Sequence, residues 1–293
     1  MSCTISIITV NLNNKAGLER TIRSVINQSY IDYEFLVIDG GSTDGSKEVI
    51  IANNSKITYW LSETDQGIYQ AMNKGIKLAN SQYCLFLNSG DWLVDKYTLE
   101  NCFKEEQTAD LLLGACRISQ NGSVIHVTKP TQDLTLSSFY KKTIPHQASF
   151  IKRELFNDLG LYDENFKIHS DYKFWLKSII KNNCSIAVLN FQVSEYNLDG
   201  LSSLSQSKDL SVAEIKKIID LEIPKRILMD YEMWHGREED WKMIQWLKSR
   251  KILFKTVILF YKAIILIVNY KKALMSLFLD KSLQNQSKTK HIV

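Results

Sequence analysis

The sequence has few of the residues that mark flexible linkers or disulfide-stapled domains. Its 293 residues include 3 prolines, 12 glycines and 5 cysteines, and no Pro- or Gly-rich linker, low-complexity tract or internal repeat is visible. The cysteines are Cys3, Cys84, Cys102, Cys116 and Cys184. They form no C-x-x-C pair, which argues against a zinc site, and their odd number and wide spacing predict a reducing compartment.

Common nucleotide-binding motifs are absent as well. No G-x-G-x-x-G follows a predicted strand, which disfavours a dehydrogenase, and there is no P-loop. A nucleotidylyltransferase usually has a Gly-rich, basic loop after its first strand. Here Asn11-Leu12-Asn13-Asn14 stands in that place, with Gly17 as the nearest glycine. The sequence therefore disfavours a nucleotidylyltransferase.

A secretory signal is also missing. The first apolar run, at residues 5–10, is a strand pattern, and no basic stretch with an apolar signal segment precedes it. We therefore expect a cytoplasmic protein.

Periodic apolar patterns fill the first ninety residues. Buried-strand patterns occur at 5–10, 33–38, 57–61 and 83–87, and helical stripes lie between them at 15–27, 46–52 and 66–79. Alternating strands and helices predict an α/β fold with a mainly parallel central sheet flanked by helices. Two further strands, 111–117 and 123–128, surround Asn121-Gly122 and suggest a hairpin. Helical patterns follow at 152–159, at 171–181 and beyond 205, where Pro224 interrupts them.

Polar and acidic clusters follow three of the predicted strands. They occupy residues 9–14, 39–44 and 88–91. Because ligands of parallel sheets bind beyond the carboxyl ends of the strands, we expect all three clusters on one rim.

Each acidic residue of interest, taken alone, also has an ordinary structural explanation. Asp39 before two glycines can bind ribose or base hydrogen-bond donors, or belong to a capped turn. Asp91 can hold a divalent cation or be another turn acid. Asp171 can be a general base or a helix cap. His146, before Gln147 and an apolar run, is equally ambiguous.

The order and spacing of these segments resemble glycosyltransferase family 2. The segments that carry the resemblance are 10–11, 24–30, 37–45, 62–75, 86–91, 145–150, 160–164 and 199–203. Together they span about residues 3–205. Segments 62–75 and 86–91 are similar to a branch of the family that builds bacterial surface polysaccharides such as O-antigen, capsule or exopolysaccharide.

The resemblance implies a GT-A fold and an inverting transfer from a nucleotide-sugar donor, with UDP as its nucleotide. It implies a saccharide or lipid-linked saccharide acceptor and no nucleic-acid partner. The donor-binding residues that it implies are Thr9, Asn11, Asp39, Asp65, Asn73 and Asp91. Asp91 also falls on the last acid of the metal-binding region, which predicts Mg²⁺ or Mn²⁺ as cofactor. Asp171 falls on the catalytic base.

Two positions depart from the family pattern. Asn88 and Gly90 stand where carboxylates are common in the metal region, and Ser170 stands where a Glu often precedes the base. The thinned acidic cluster leaves a second interpretation open. In it the chain is a catalytically degenerate protein that binds a nucleotide sugar or scaffolds a pathway complex.

The C-terminal part differs from the rest in charge and pattern. We expect a catalytic domain at 1–205 and a helical extension at 206–293. Residues 246–293 hold ten lysines and arginines against one acid, although the whole chain carries only +4. At about 250–280 the residues Lys251, Lys255, Lys262 and Asn269 share one helical stripe opposite an apolar face. This pattern predicts a helix lying in a membrane interface. With it, the family resemblance implies peripheral attachment to the inner face of a bacterial inner membrane. The alternative is a helix packed on the catalytic domain or on another subunit.

Overall fold

The computed structural model describes residues 3–141, 143–198, 208–235 and 238–288. The chain divides into two compact units, Met1–Glu222 and Ile223–Val293. The predicted domain boundary at 205/206 and the family-like segment at 199–203 lie outside the described residues.

A mixed sheet forms the centre of the first unit. Its strands are β1 (Ile5–Asn11), β2 (Tyr33–Asp39), β3 (Tyr59–Ser62), β4 (Tyr83–Phe86), β5 (Trp92–Leu93), β6 (Leu111–Gln120), β7 (Ser123–Val127), β8 (Ser149–Lys152) and β9 (Ile186–Asn197). Their spatial order is β3-β2-β1-β4-β8-β6-β9-β5, and β7 pairs with β6.

Helices flank this sheet and continue beyond it. Those of the first unit are α1 (Lys15–Ile26), α2 (Ser46–Ala52), α3 (Ile68–Leu78), α4 (Thr98–Phe103), α5 (Leu136–Lys141), α6 (Glu154–Leu159), α7 (Ser170–Trp175) and α8 (Lys208–Glu222). A π-helical turn, Leu176–Lys181, continues α7. The second unit contains α9 (Lys225–His235), α10 (Glu238–Ser249) and α11 (Lys251–Lys288).

The predicted α/β fold is confirmed, and its parallel part lies where βαβ units were expected. Strands β1 to β4 pair in parallel, as do β6 and β9. The other four pairings in the described sheet are antiparallel. One of them is the predicted hairpin, in which Asn121 and Gly122 connect β6 to β7. Such a short connection can only reverse the chain.

Close packing of helices against the parallel strands fixes the position of the sheet edge that carries the three polar clusters. All seven residues of β1 are buried, as expected for a central strand covered on both faces. From α1, the side chains of Leu18, Ile22 and Val25 enter the core. On α3 a Cβ atom at Gly75 would lie 2.4 Å from the Cγ2 atom of Ile8. Glycine at this position therefore lets α3 approach the sheet closely.

Within the second unit, α11 exposes large apolar side chains over its first five turns. Among them are Ile252, Leu259 and Phe260, each more than two-thirds exposed. Over Lys251–Lys271 the helix is long and apolar enough to cross a membrane, by length and composition. In this segment the lysines Lys255 and Lys262 are exposed too.

Candidate active site

A cleft of about 630 Å³ opens at the carboxyl ends of β1 and β4. Its lining comes from the segments 10–17, 65–71, 88–91 and 196–197, together with Arg20. Of the predicted donor-binding residues, Asn11, Asp65 and Asp91 line the cleft. This edge of the sheet is where an α/β fold ordinarily binds its ligand.

Asp39 lies behind the cleft wall and holds two strand ends together. It is fully buried and opposite Asn11 in the β1–β2 register. Its Oδ1 accepts hydrogen bonds from Asn11 Nδ2 at 2.7 Å and Ser42 Oγ at 2.6 Å. Its Oδ2 accepts from the Ser42 backbone N–H at 3.0 Å and Ser62 Oγ at 2.7 Å.

These hydrogen bonds decide the charge of Asp39. Burial acts to raise the pKa of the carboxyl group, but the bonds from Ser42, Ser62 and Asn11 hold it below its usual value. The carboxylate is therefore ionised, and its four acceptor positions are occupied within the protein. The fully buried Thr9 adds a hydroxyl with no hydrogen-bond partner among the described residues.

The two predicted residues of the next segment lie in different surroundings. Asp65 lines the cleft, and its Oδ1 accepts a hydrogen bond from the Gly67 backbone N–H at 3.1 Å. Asn73 is buried on α3 and fastens a loop. Its Nδ2 donates to the Tyr162 carbonyl at 2.9 Å and to Glu164 Oε1 at 2.8 Å. Its Oδ1 accepts from the Tyr162 N–H at 3.0 Å.

Asp91 is a buried carboxyl group at the bottom of the cleft, only 3% exposed. Thr21 Oγ1 donates to its backbone carbonyl at 2.7 Å, which fixes the turn after β4. Its Oδ2 has no hydrogen-bond partner within the described ranges. Burial raises the pKa of Asp91 to about 7, although the charge of His146 and a hydrogen bond from Gln147 act in the opposite direction.

These surroundings suit a cation that binds together with a phosphate ligand. Asp91 Oδ2 and Asn88 Oδ1 are both buried oxygens with no partner among the described residues. In the part of the chain that the structure describes, no group of three or more histidine, cysteine or acidic side chains could hold a metal ion by itself. Mg²⁺ is commonly bound through one or two carboxylates and substrate phosphates, so the single carboxylate of Asp91 fits that mode.

Asp171 lies in the first turn of α7, and its side chain makes tertiary contacts. The helix begins after His169, which makes no side-chain cap. Asp171 Oδ2 lies 3.2 Å from His146 Nδ1, and Oδ1 lies 3.1 Å from the Tyr69 hydroxyl. Burial would raise the pKa of Asp171, but the hydrogen bond and charge of His146 and the Tyr172 backbone N–H hold it below its usual value. Asp171 is therefore a carboxylate at neutral pH.

His146 connects this carboxylate to the cleft. Its Nε2 lies 3.2 Å from Nδ2 of Asn88, which lines the cleft, while Nδ1 faces Asp171. Asp171 itself is 8% exposed. The ring of His146 thus stands between the cleft wall and the candidate base.

Several contacts at this site were not predicted from the sequence. Tyr69 and His146 contact Asp171, and Gln147 contacts Asp91. At the edge of the cleft, the Arg20 guanidinium lies 4.8 Å from the centre of the Trp92 ring. Tyr69 and Asp171 are 102 residues apart in the chain, so no local pattern reports their contact. Two signals were available in the sequence: the His146-Gln147 pair, whose role stayed open, and the family-like segments 62–75 and 145–150, which contain these residues.

Comparison with known proteins assigns this chain to a family. Residues 6–161 match the model of glycosyl transferase family 2. The chain is 28% identical over 207 residues to the Escherichia coli protein UDP-Glc:alpha-D-GlcNAc-diphosphoundecaprenol beta-1,3-glucosyltransferase WfgD, covering 70% of this chain and 80% of that protein. It is 29% identical over 215 residues to the PGL/p-HBAD biosynthesis glycosyltransferase of Mycobacterium bovis (strain BCG / Pasteur 1173P2), covering 70% and 81%.

A solved structure supports the fold. S. aureus TarS 1–349 in complex with UDP-GlcNAc superimposes with a TM-score of 0.54 at 21% sequence identity. The match covers 66% of this chain and 58% of the TarS chain.

Proposed function

Because this chain belongs to glycosyl transferase family 2, we propose that it transfers one sugar from a UDP-sugar to a hydroxyl of a saccharide or lipid-linked saccharide, with inversion at the anomeric carbon. The observation that carries this proposal is the buried, ionised Asp171, joined through His146 to the wall of a strand-end cleft. A relative whose name specifies UDP-Glc and a diphosphoundecaprenol-linked acceptor supports this choice of donor and acceptor.

In the proposed mechanism Asp171 is the general base. Its carboxylate accepts the proton of the acceptor hydroxyl, whose oxygen attacks the anomeric carbon of the donor. This step requires the acceptor to replace one of the present contacts of the Asp171 carboxylate, which lies behind the His146 ring. The bond from that carbon to the diphosphate oxygen breaks on the opposite face, so the nucleoside diphosphate leaves and the configuration inverts. His146 and Tyr69 hold the carboxylate in position. General bases of this kind typically contribute about 10²- to 10⁴-fold to the rate.

Charge also develops on the diphosphate as it leaves. Asp91 would hold Mg²⁺ or Mn²⁺ there, and the bound cation supplies neutralisation of the leaving group. The exposed Arg20 contributes a second positive charge to the cleft.

The nucleoside end of the donor lies, in this proposal, along the rim formed by β1 and β2. Asn11 and Asp65 line the cleft, and Asn11 Oδ1 has no hydrogen-bond partner among the described residues. Asp39 and Thr9 shape the wall behind them, and Asn73 anchors the loop that follows α6. The donor contact assigned to Asp39 requires one of its present hydrogen bonds to be exchanged for a nucleoside donor.

We also propose where this reaction takes place. The exposed apolar surface and lysines of α11 suit a helix that attaches the enzyme to the inner face of the bacterial inner membrane. Attachment there would place the enzyme on the membrane that carries lipid-linked acceptors. Peripheral attachment is preferred to spanning because a lysine near the centre of a spanning helix, such as Lys262, costs about 2.5–3.5 kcal/mol on insertion scales.

A donor screen tests the proposal against a scaffold or pure binding function. The full chain is mixed with UDP-glucose, UDP-N-acetylglucosamine and other nucleotide sugars, and thermal stabilisation and UDP release are measured. A ligand at 100 times its dissociation constant stabilises the folded state by about 2.7 kcal/mol. We expect one or more UDP-sugars to stabilise the protein and to be hydrolysed slowly. Stabilisation without any UDP release, with or without Mn²⁺, would favour the binding protein.

A further inference from the structure

A carboxylate from α8 lies against the chain just ahead of Asp171. Glu214 is 6% exposed, and it lies beyond residues 6–161, which match the family model. Its Oε1 accepts a hydrogen bond from the Lys167 backbone N–H at 2.7 Å. Its Oε2 accepts from the backbone N–H groups of Ile168 at 3.0 Å and His169 at 3.1 Å. One side chain thus binds three consecutive peptide groups immediately before α7.

The same peptide segment is held from its other side. The Ile168 carbonyl accepts a hydrogen bond from the Tyr69 hydroxyl at 2.5 Å, and that hydroxyl lies 3.1 Å from Asp171 Oδ1. Ile168 therefore connects Glu214 on α8 with Tyr69 on α3, and Tyr69 in turn touches the candidate base. A continuous set of short contacts leads from α8 to the Asp171 carboxylate.

Other contacts hold α8 in place along α7. Ser211 Oγ lies 2.6 Å from His169 Nε2, and Lys217 Nζ lies 5.3 Å from the centre of the Phe166 ring. At the far end of α8, Glu222 pairs with Lys181 at 2.9 Å and Lys173 at 3.6 Å. Contacts at both ends of α8 thus hold the helix, and no single one of them fixes the position of Glu214.

The hydrogen bonds of Glu214 restrain this loop. Hydrogen bonds to a charged group are stronger than those between neutral groups, and a buried donor left without a partner is costly. Removing the carboxylate would leave three neighbouring N–H groups without their acceptor. The loop would then shift to find new partners, and its displacement would pass directly to Tyr69 and Asp171.

We propose that Glu214 is a positioning residue for Asp171, so that α8 is part of the catalytic machinery although it lies outside the segment matched by the family model. The proposal rests on the proposed function of Asp171 as base. Glu214 touches no substrate; it acts by fixing residues 167–169, and through them Tyr69 and the carboxylate of Asp171.

The kinetic test compares two identical substitutions on one helix. Glu214→Gln keeps the size of the side chain but replaces one acceptor oxygen with an NH₂ group that faces N–H donors. Glu222→Gln is the matched control, since its carboxylate meets lysine side chains and no backbone N–H ahead of α7. With UDP-glucose hydrolysis as the readout, Glu214→Gln should lower kcat by up to about 10²-fold, the cost of a misplaced catalytic group. The donor KM and the Glu222→Gln kinetics should stay near wild type.

A second readout does not depend on activity. His146 contacts Asp171 directly, so the NMR signal of its ring, identified by its loss in His146→Gln, reports the placement of the carboxylate in the protein alone. We expect Glu214→Gln and Tyr69→Phe each to shift this signal, with no further change in the double variant. Thermal unfolding confirms that each variant is folded. An unchanged His146 signal in folded Glu214→Gln, or shifts that simply add in the double variant, would overturn the proposal. A shifted signal in a protein with no UDP-sugar hydrolysis would uphold the positioning and reject the proposed function instead.

Discussion

Asp39 shows how a single carboxylate can shape a binding site from behind its wall. Four hydrogen bonds from Asn11, Ser42 and Ser62 occupy its oxygens. Asp39→Ala removes them and loosens the ends of β1 and β2. We expect the donor KM to rise more than kcat falls, because this rim lies away from the bond that breaks. Steady-state kinetics over a range of UDP-sugar concentrations measure both, and an unchanged donor KM would contradict the prediction.

The pH dependence of stability gives a separate test at the same residue. Hydrogen bonds from Ser42, Ser62 and Asn11 outweigh burial and lower the pKa of Asp39 in the folded state. A lowered pKa stabilises the fold above the unfolded value of about 3.9 and loses that effect as the pH falls through the folded value. Asp39→Asn should therefore be less stable than wild type at pH 7, with a gap that closes below about pH 4. Urea unfolding at several pH values measures the gap; a gap independent of pH would reject the account.

Substitution of Asp91 tests whether the enzyme depends on a metal ion. Its buried Oδ2 has no partner in the part of the chain that the structure describes, which suits a cation that arrives with the donor diphosphate. We expect Mn²⁺ to strengthen UDP binding to the wild type and to have no such effect on Asp91→Ala. Calorimetric titration of UDP with Mn²⁺ or with EDTA measures this difference. A wild type that binds UDP-sugar and turns it over equally well in EDTA would show that the enzyme does not use a metal.

At the scale of elements, the parallel part of the sheet was predictable and much of the other half was not. Strands such as β1 and β2 are continuous apolar runs, the signature of strands buried on both faces. In contrast, β9 is mostly half-buried and shows no regular alternation of buried and exposed residues. The four residues of β8 are too few to establish a period, and the helix predicted at 152–159 starts only at Glu154 because Lys152 ends this strand.

The candidate site, like the sheet, was only partly predictable from the sequence. Asp91 and Asp171 could be singled out because each stands at the end or start of a predicted element. The partners of Asp171 could not, since Tyr69 and His146 reach it from 102 and 25 residues away. Glu214 gave no local signal either, because its partners are backbone groups 45–47 residues earlier in the chain.

Helix α11 makes its own prediction. Its first 21 residues, Lys251–Lys271, are apolar and unburied, apart from lysines that can meet anionic head groups. We expect the full chain to sediment with membranes and to be released by high pH or detergent, while a chain ending at Lys248 stays in the supernatant. Fractionation with vesicles containing anionic lipid tests both. A full chain that ignores such vesicles and needs no detergent would indicate that α11 packs on protein, and release by detergent alone would indicate a spanning helix.

At the scale of the whole molecule, the two compact units suit different tasks. The first, Met1–Glu222, holds the sheet, the cleft and both central acids, and it includes α8. The second, Ile223–Val293, holds the exposed apolar helix. We propose that the first unit carries out the sugar transfer and that the second attaches the enzyme to the membrane. The family match ends at residue 161, so it covers most of the cleft lining but not Tyr196, Asn197 or Glu214.

The central claim is that Asp171 is the base of a sugar transfer, and Asp171→Asn tests it most directly. The substitution keeps the shape of the side chain and removes its ability to accept a proton. UDP-sugar hydrolysis, and transfer once an acceptor is known, should fall by about 10²- to 10⁴-fold. UDP binding, measured by calorimetry on the same sample, should remain near wild type because the cleft lining stays intact. Turnover retained in a folded Asp171→Asn protein would contradict the account.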